Sequence, residues 1–261
     1  MTAIRYPIYS RDWHGISLVD VARECGMAET EVANHHLYAA LYKRWSAIDF
    51  VPEPGWLAAK AKMADVLRAS VARLNPNPIH AVSLGAGLGV VEAHLHDAGW
   101  RIELQECQAE SLAYATRRFT PERVWTCDFD GIPSAAYDVV LALSIVYVFD
   151  DAQYRAFAAQ CRRMLRPGGL LVIWDHDPKV PLALVKRYVN RYMLRRHDLR
   201  WGWLRSADLH EALVQSQGFE RLVRQFFDLA IDPVPDPPRL LGMQWPLGRS
   251  VAQNMIFRAT P

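Results

Sequence analysis

Two rhythms of apolar and polar residues divide the chain. Up to about residue 75, apolar side chains return every three or four positions, the spacing of one helix face, and no clear strand is expected. The spacing predicts a helix from Ser17, a good N-cap residue, towards Gly26. A second is expected over Glu29 to Ile48, striped by Leu37, Leu41, Tyr42 and Trp45, and a third from Gly55 to Leu74. Asn75, Pro76, Asn77 and Pro78 then break the pattern as a linker.

From Ile79 short apolar runs alternate with helical segments. Strands are expected at Ile79 to Leu84, Arg101 to Glu106, Arg123 to Cys127, Asp138 to Leu143 and Leu170 to Trp174. Between them lie helices at Val90 to Ala98, Glu110 to Phe119 and from the cap residue Asp150 up to Pro167, Gly168 and Gly169. Such alternation calls for a parallel sheet covered on both faces. Past Pro178 a basic amphipathic helix, about Pro181 to His197, interrupts the pattern. A helix over Ser206 to Gly218 and strands at Glu220 to Phe227 and Asn254 to Ala259 resume it. The last two strands flank a long loop with five prolines, and a loop of that length in a domain is more often functional than idle.

Composition narrows the classes. With 261 residues, half of them hydrophobic, the chain has enough material for one large core. No apolar run approaches the roughly 20 residues of a membrane span. The four cysteines (Cys25, Cys107, Cys127, Cys161) are scattered, which argues against a disulfide framework or a metal site and suits a reducing, cytoplasmic setting. The net charge of +2 conceals one basic stretch: residues 186–206 carry seven basic side chains and one acid. Without that stretch the chain has 23 basic and 27 acidic residues. An anionic group would meet its positive charge there.

A glycine-rich turn, Gly85-Ala86-Gly87-Leu88-Gly89, sits between the first strand of the alternation and its helix. Small residues there let backbone N–H groups approach a ligand at the positive end of a helix. A dinucleotide-binding turn would need glycine at position 90, which is Val90. The third glycine comes one residue early, and in this the segment resembles the class I S-adenosylmethionine (SAM)-dependent methyltransferases. Glu106 and Cys107 follow the second strand, Asp128 and Phe129 the third, and Leu165-Arg166-Pro167-Gly168-Gly169 is similar to the turn that precedes the family's fifth strand. The resemblance covers Ile79 to Asp175 well and Ser206 to Ala259 loosely. It implies SAM as cofactor, held by Gly85, Ala86, Gly87, Gly89, Glu106, Cys107, Asp128, Phe129 and Ala142. Glu106 would take both ribose hydroxyls, since a carboxylate can accept two hydrogen bonds from a diol.

In a doubly wound sheet the ligand lies across the carboxyl ends of the strands, so the acceptor is expected near strands four and five. There the candidate catalytic residues are Tyr147, Asp175 and His176, the histidine being a possible general base flanked by carboxylates. Arg187, Arg191 and Arg195, at i, i+4 and i+8 on the basic helix, are candidates for holding an anionic substrate, with Trp245 closing the pocket; a solvated face or a membrane contact are the other readings of that stripe. Strand four lacks the motifs of nucleobase methyltransferases. Ser17 to Val32 looks like a repressor helix-turn-helix, but residues 11–50 hold four basic and six acidic side chains, the wrong sign for gripping phosphate.

The expected fold is therefore α/β, a doubly wound, seven-stranded, mostly parallel sheet. Residues 1–76 would form a helical cap and 77–261 the SAM-binding domain, with a lid helix inserted at about 179–205. The expected function is methyl transfer to an oxygen or nitrogen of a small, possibly anionic, metabolite, without a metal. An RNA- or lipid-directed methyltransferase and a non-catalytic, SAM-sensing DNA-binding regulator are the alternatives.

Overall fold

The computed structural model describes residues 5–27, 34–48, 50–107, 109–126, 128–176, 199–228, 230–235, 239–240, 243–244 and 252–260. The expected helix at 181–197, with Arg187, Arg191 and Arg195, lies outside the described residues, and so does Trp245.

The N-terminal part corrects the all-helical expectation. It opens with strand β1 (Arg5–Ser10) and a tight hairpin of β2 (Asp12–Trp13) and β3 (Ile16–Ser17). His14 and Gly15 both have positive φ, 48° and 80°, as a two-residue primed turn requires. Helices α1 (Leu18–Glu24), α2 (His35–Ala47) and α3 (Pro54–Ala72) follow close to their expected positions. Ser17 caps α1 by accepting from the Asp20 N–H, and Asn34 caps α2 with bonds from His36 and Leu37. β1 escaped local periodicity because its partner is far away in the chain.

The remaining elements are β4 (His80–Leu84), α4 (Val90–Asp97), β5 (Arg101–Gln105), α5 (Ala109–Thr116), β6 (Arg123–Trp125), β7 (Tyr137–Leu143), α6 (Asp151–Met164) and β8 (Leu165–His176). After them come β9 (Leu199–Arg205), α7 (Ala207–Gln215), β10 (Phe219–Phe227), the two-residue β11 (Pro233–Val234), β12 (Arg239–Leu240), β13 (Met243–Gln244) and β14 (Ala252–Ala259). β9 adds a strand that was not expected: it follows the span given to the lid helix and pairs antiparallel with β1.

The central sheet runs β11-β10-β14-β8-β7-β4-β5-β6. From β8 to β6 every pairing is parallel, while β14 runs antiparallel to both β8 and β10. This is the expected doubly wound sheet of seven strands, with β11 added as a short edge. Order reverses at β4, whose neighbours β5 and β7 lead away in opposite directions. That reversal leaves a crevice at the carboxyl ends of the strands, where such sheets bind ligands.

Two cores flank the sheet. On one face α3, α4 and α5 pack Met63, Leu67, Leu95 and Leu112 against Ile102, Val139 and Val172. On the other, Tyr154, Phe157 and Cys161 of α6 and Leu213 of α7 meet Val82, Val140 and Ile173. Each such side chain contributes about 1.5–3 kcal/mol by leaving water. The hydrophobic stripe on α6 works because Asp150 and Gln153 form a reciprocal capping box that fixes where the helix starts. A third cluster joins the cap to the sheet domain: Leu18, Val21, Leu37, Leu41 and Trp45 pack with Leu88 and Val90 beside the glycine turn.

Glu103 ties three strands together within the sheet. It accepts bonds from Trp125 Nε1 at 2.6 Å, Tyr137 Oη at 2.7 Å and His80 Nε2 at 3.0 Å. Burial works against its ionised form, but these bonds outweigh it and hold the carboxyl below its usual range. A depressed pKa stabilises the fold above the unfolded value, and the benefit is lost as pH falls through the folded one. Replacing Glu103 by Gln is expected to cost about 1–3 kcal/mol in urea unfolding at neutral pH, with the gap from wild type narrowing as pH falls below the ordinary carboxylate range.

Candidate active site

The loop after β4 is built so that its backbone, not its side chains, faces the crevice. Gly85, Gly87 and Gly89 have φ of 59°, 56° and 61°, a region in which only glycine is unstrained. Space forbids a side chain as well. A Cβ on Gly85 would strike Ile145, one on Gly87 would lie 3.0 Å from Tyr42 Oη, and one on Gly89 would lie 2.5 Å from Ala115 Cβ. The cap, the sheet and α5 thus all press on this loop.

Glu106 follows β5 and turns back to the loop. Its Oε2 accepts the Gly87 N–H at 3.1 Å and its Oε1 accepts the Cys107 N–H at 2.7 Å. Each carboxylate oxygen has a second lone pair, so the group can still accept from a diol. Gln105 holds the other end of the loop by accepting the Gly85 N–H at 3.0 Å. Together with Asp128 and Phe129, these residues line one cavity of about 840 Å³. Gly85, Ala86, Gly87, Gly89, Glu106 and Cys107 therefore meet there as expected, with Tyr147 and His176 on the opposite side.

Two expected residues do not reach it. Ala142 is fully buried inside β7, and the cavity is lined instead by its successors Leu143, Ser144 and Ile145. Alternation along the strand turns Ala142 into the core it shares with Phe157. Asp175 is 1% exposed and directs its carboxylate to His210 of α7, with Oδ2 3.5 Å from Nε2, while the next residue, His176, faces the cavity.

Sequence reasoning missed the aromatic wall. Trp13 from the hairpin, Tyr38 and Tyr42 from α2, Trp56 from α3, and Trp201 and Trp203 from β9 all line the cavity. Tyr38 and Tyr147 share a hydroxyl–hydroxyl bond of 2.7 Å, and the Trp201 ring stands edge-on to Tyr38 with centroids 5.1 Å apart. Burial pushes Tyr147 up to about 12, so this hydroxyl stays neutral near pH 7. The pairing of β1 with β9 carries Trp201 and Trp203 to the cap that supplies the other rings, and no local pattern announces it. Ser144 gave a fainter sign: it follows β7 with φ of 56°, the strained backbone often found where function needs it.

Lys60 of α3 was also missed. Its ammonium stacks 5.2 Å from the Trp56 ring centre and meets Met63 Sδ at 3.9 Å, soft partners that leave its charge available to a ligand. Nearby on α4, Glu92 is 3% exposed and accepts from Ser83 Oγ at 2.6 Å. Burial raises the Glu92 carboxyl and lowers the Lys60 ammonium, and each charge partly offsets the other's shift. Both line the cavity beside the glycine loop.

Residues 81–169, which span β4 to the Pro-Gly-Gly turn, match the family described as a methyltransferase domain. The chain therefore carries a methyltransferase domain, and its fold is that of the class I SAM-dependent methyltransferases. A ubiquinone biosynthesis O-methyltransferase of Rhizobium johnstonii is 24% identical to it over 196 residues, 74% of this chain and 68% of the relative. The chain spans from 52% to 68% of the length of the curated relatives it matches. Among solved structures, a SAM-dependent methyltransferase of Leishmania major superposes with a TM-score of 0.59 at 15% identity, covering 96% of both chains. The 1,6-didemethyltoxoflavin-N1-methyltransferase of Burkholderia thailandensis, bound to 1,6-didemethyltoxoflavin and S-adenosylhomocysteine, gives 0.58 at 18% identity over 90% of this chain and 94% of that one. At such identities the shared property is the fold.

SAM is the cofactor of this family, and the residues of the methyltransferase cavity fit it. The glycine loop admits a ligand against bare backbone, Glu106 offers a carboxylate for a ribose diol, and Phe129 offers a ring face beside Asp128. Among the described residues no cluster of metal-ligating side chains is found. Changing Glu106 to Ala is expected to weaken S-adenosylhomocysteine binding by about tenfold to a hundredfold in calorimetry, the value of two charge-assisted bonds. Unchanged affinity would remove Glu106 from that role.

Proposed function

We propose that this methyltransferase transfers the SAM methyl group to an oxygen or nitrogen of a small, flat metabolite held between the glycine loop and the N-terminal cap. The observation that carries the proposal is the aromatic wall facing the loop. A cavity of about 840 Å³ is at the upper end of the range for one small ligand, so it accommodates a cofactor and a second molecule. Trp13, Tyr38, Tyr147 and Trp201 offer ring faces and edges for stacking a planar acceptor. One curated relative is an O-methyltransferase and one structural neighbour an N-methyltransferase, so either atom fits the reading.

Bound SAM supplies a methyl group already activated by its sulfonium. The protein's own tasks are then to bind, orient and exclude water. Glu106 would hold the ribose, and the side-chain-free backbone of the glycine loop would pack against the cofactor. Lys60 takes the amino-acid carboxylate and Glu92 the ammonium. The aromatic wall places the acceptor, and the Tyr38–Tyr147 pair presents a neutral hydroxyl donor to it. His176, whose ring centre is 6.2 Å from that of Tyr147, takes the proton released by the acceptor.

Two experiments test this reading. Incubation with methyl-labelled SAM and fractionated cell extract should label one small-molecule fraction; label confined to RNA, lipid or protein would contradict it. Lys60 is tested with two probes that differ at the amino-acid end. Replacing it by Gln should weaken S-adenosylhomocysteine about tenfold and leave 5′-methylthioadenosine, which lacks that end, unaffected. Equal losses for both probes would remove Lys60 from the carboxylate.

A further inference from the structure

Behind the cavity wall lies a buried polar chain that methyl transfer, as derived so far, does not use. Asp175, His210 and Tyr154 come from β8, α7 and α6 and are each at most 1% exposed. Asp175 Oδ1 accepts the His176 N–H at 2.8 Å. Its Oδ2 and the His210 Nε2 have no hydrogen-bond partner, yet they face each other at 3.5 Å. On the other side of the ring, His210 Nδ1 is 2.9 Å from the Tyr154 hydroxyl. Gln253 of β14 completes the anchorage by donating from Nε2 to the His176 carbonyl at 3.1 Å and to the Arg205 carbonyl at 2.8 Å. Both backbone groups of His176 are thus held by buried side chains.

A single proton between Oδ2 and Nε2 satisfies both unpartnered atoms. It can sit there in two ways. With Asp175 protonated, its O–H donates to Nε2 and the Nδ1–H donates to the Tyr154 oxygen. With Asp175 ionised, the Nε2–H donates to the carboxylate and the Tyr154 O–H donates to Nδ1. Passage from the first state to the second releases one proton to solvent, keeps the imidazole neutral and reverses both bonds to the ring. An ionised Asp175 is also the stronger acceptor for the His176 N–H.

We infer that Asp175, His210 and Tyr154 are positioning residues for the cavity, a proton-carrying chain that sets how firmly the His176 backbone is anchored at its wall. The surroundings keep the imidazole neutral while allowing the carboxyl to titrate. Burial raises Asp175 to about 7, against the His176 N–H and the Arg205 charge; burial lowers His210 to about 3, helped by Arg205. Arg205 reaches the chain from β9, and its own charge is met by Asp151 of α6 at 2.9 Å. Among the described residues, Cys161 of α6, Tyr147 of the turn after β7 and His176 itself are further titratable groups around it, whereas β14 contributes the uncharged Gln253. The consequence for catalysis rests on the cavity being the methyl-transfer site; the chain itself does not.

The test is NMR of the full-length protein carrying ¹⁵N, followed from about pH 5.5 to about 8.5. The ring nitrogens of His210 should exchange roles with one midpoint near neutrality, without an imidazolium signal, and the His176 amide should shift with the same midpoint. Asp175→Asn should abolish both changes. Tyr154→Phe, which removes the hydroxyl that bonds Nδ1 in both states, should move the midpoint, and it keeps the test open if the first variant does not fold. With the acceptor fraction identified above, the rate should show an inflection at that pH in wild type and lose it in Asp175→Asn. An imidazolium at His210 in this range, a His176 amide that ignores the titration, or a rate lowered equally at every pH would overturn the inference. Intact titration in a protein that does not bind S-adenosylhomocysteine would instead contradict the cofactor reading and leave the chain standing.

Discussion

The backbone of residues 85–89 passes so close to its neighbours that no side chain fits on its glycines. Ile145 from the turn after β7 and Ala115 from α5 occupy the space a Cβ would take on Gly85 and Gly89, and Tyr42 from the cap stands 3.0 Å from that of Gly87. That contact fixes the loop from three sides and leaves its remaining face open to the crevice. It also fixes what surrounds the loop. The cap packs on Leu88 and Val90 with Tyr42 against Gly87, and Ile145, next to Gly85, follows the left-handed turn at Ser144. Glu106, by bonding the Gly87 N–H, ties the acidic end of β5 to the same geometry.

The two sides of the cavity are built on different principles. The side that carries the glycine loop is backbone and short side chains at the ends of neighbouring strands of one sheet. The aromatic side is assembled from distant segments: a hairpin and helix near the start of the chain, a strand near residue 200 and the ends of β7 and β8. Arg205 is central to the second arrangement. Fully buried, it bonds the Val146 and Phe149 carbonyls and Asp151, and so fastens β9 to the turn that carries Tyr147. Gly202 belongs to the same junction, since a Cβ there would collide with the Tyr147 backbone.

The sheet was legible because its signals are local. Alternating apolar runs, the Gly85 to Gly89 turn, the Asp150 cap and the Pro-Gly-Gly turn each act within a few residues, and the strands and helices of β4 to β8 lie within a few residues of where periodicity put them. The cavity residues that follow β4, β5 and β6 were legible for the same reason, since they stand after successive strands at positions the topology sets. The aromatic wall was not, because β1 and β9 form a pair only through a contact nearly two hundred residues apart in sequence. Ala142 and Asp175 failed by one position each: at a strand end adjacent residues point to opposite faces, and a reading uncertain by one residue exchanges core for cavity. The miss at Asp175 exposed its partnership with His210, which no spacing in the sequence suggests.

The central claim is that the cofactor lies between the glycine loop and the N-terminal cap. Amide hydrogen exchange with and without saturating S-adenosylhomocysteine tests it most directly, because it reads both sides of the cavity at once. The account predicts slower exchange at Gly85 to Val91 and at Glu106 and Cys107, and also in α2 around Tyr38 and Tyr42. Unchanged exchange in the glycine loop, or protection of the loop with none in α2, would contradict it.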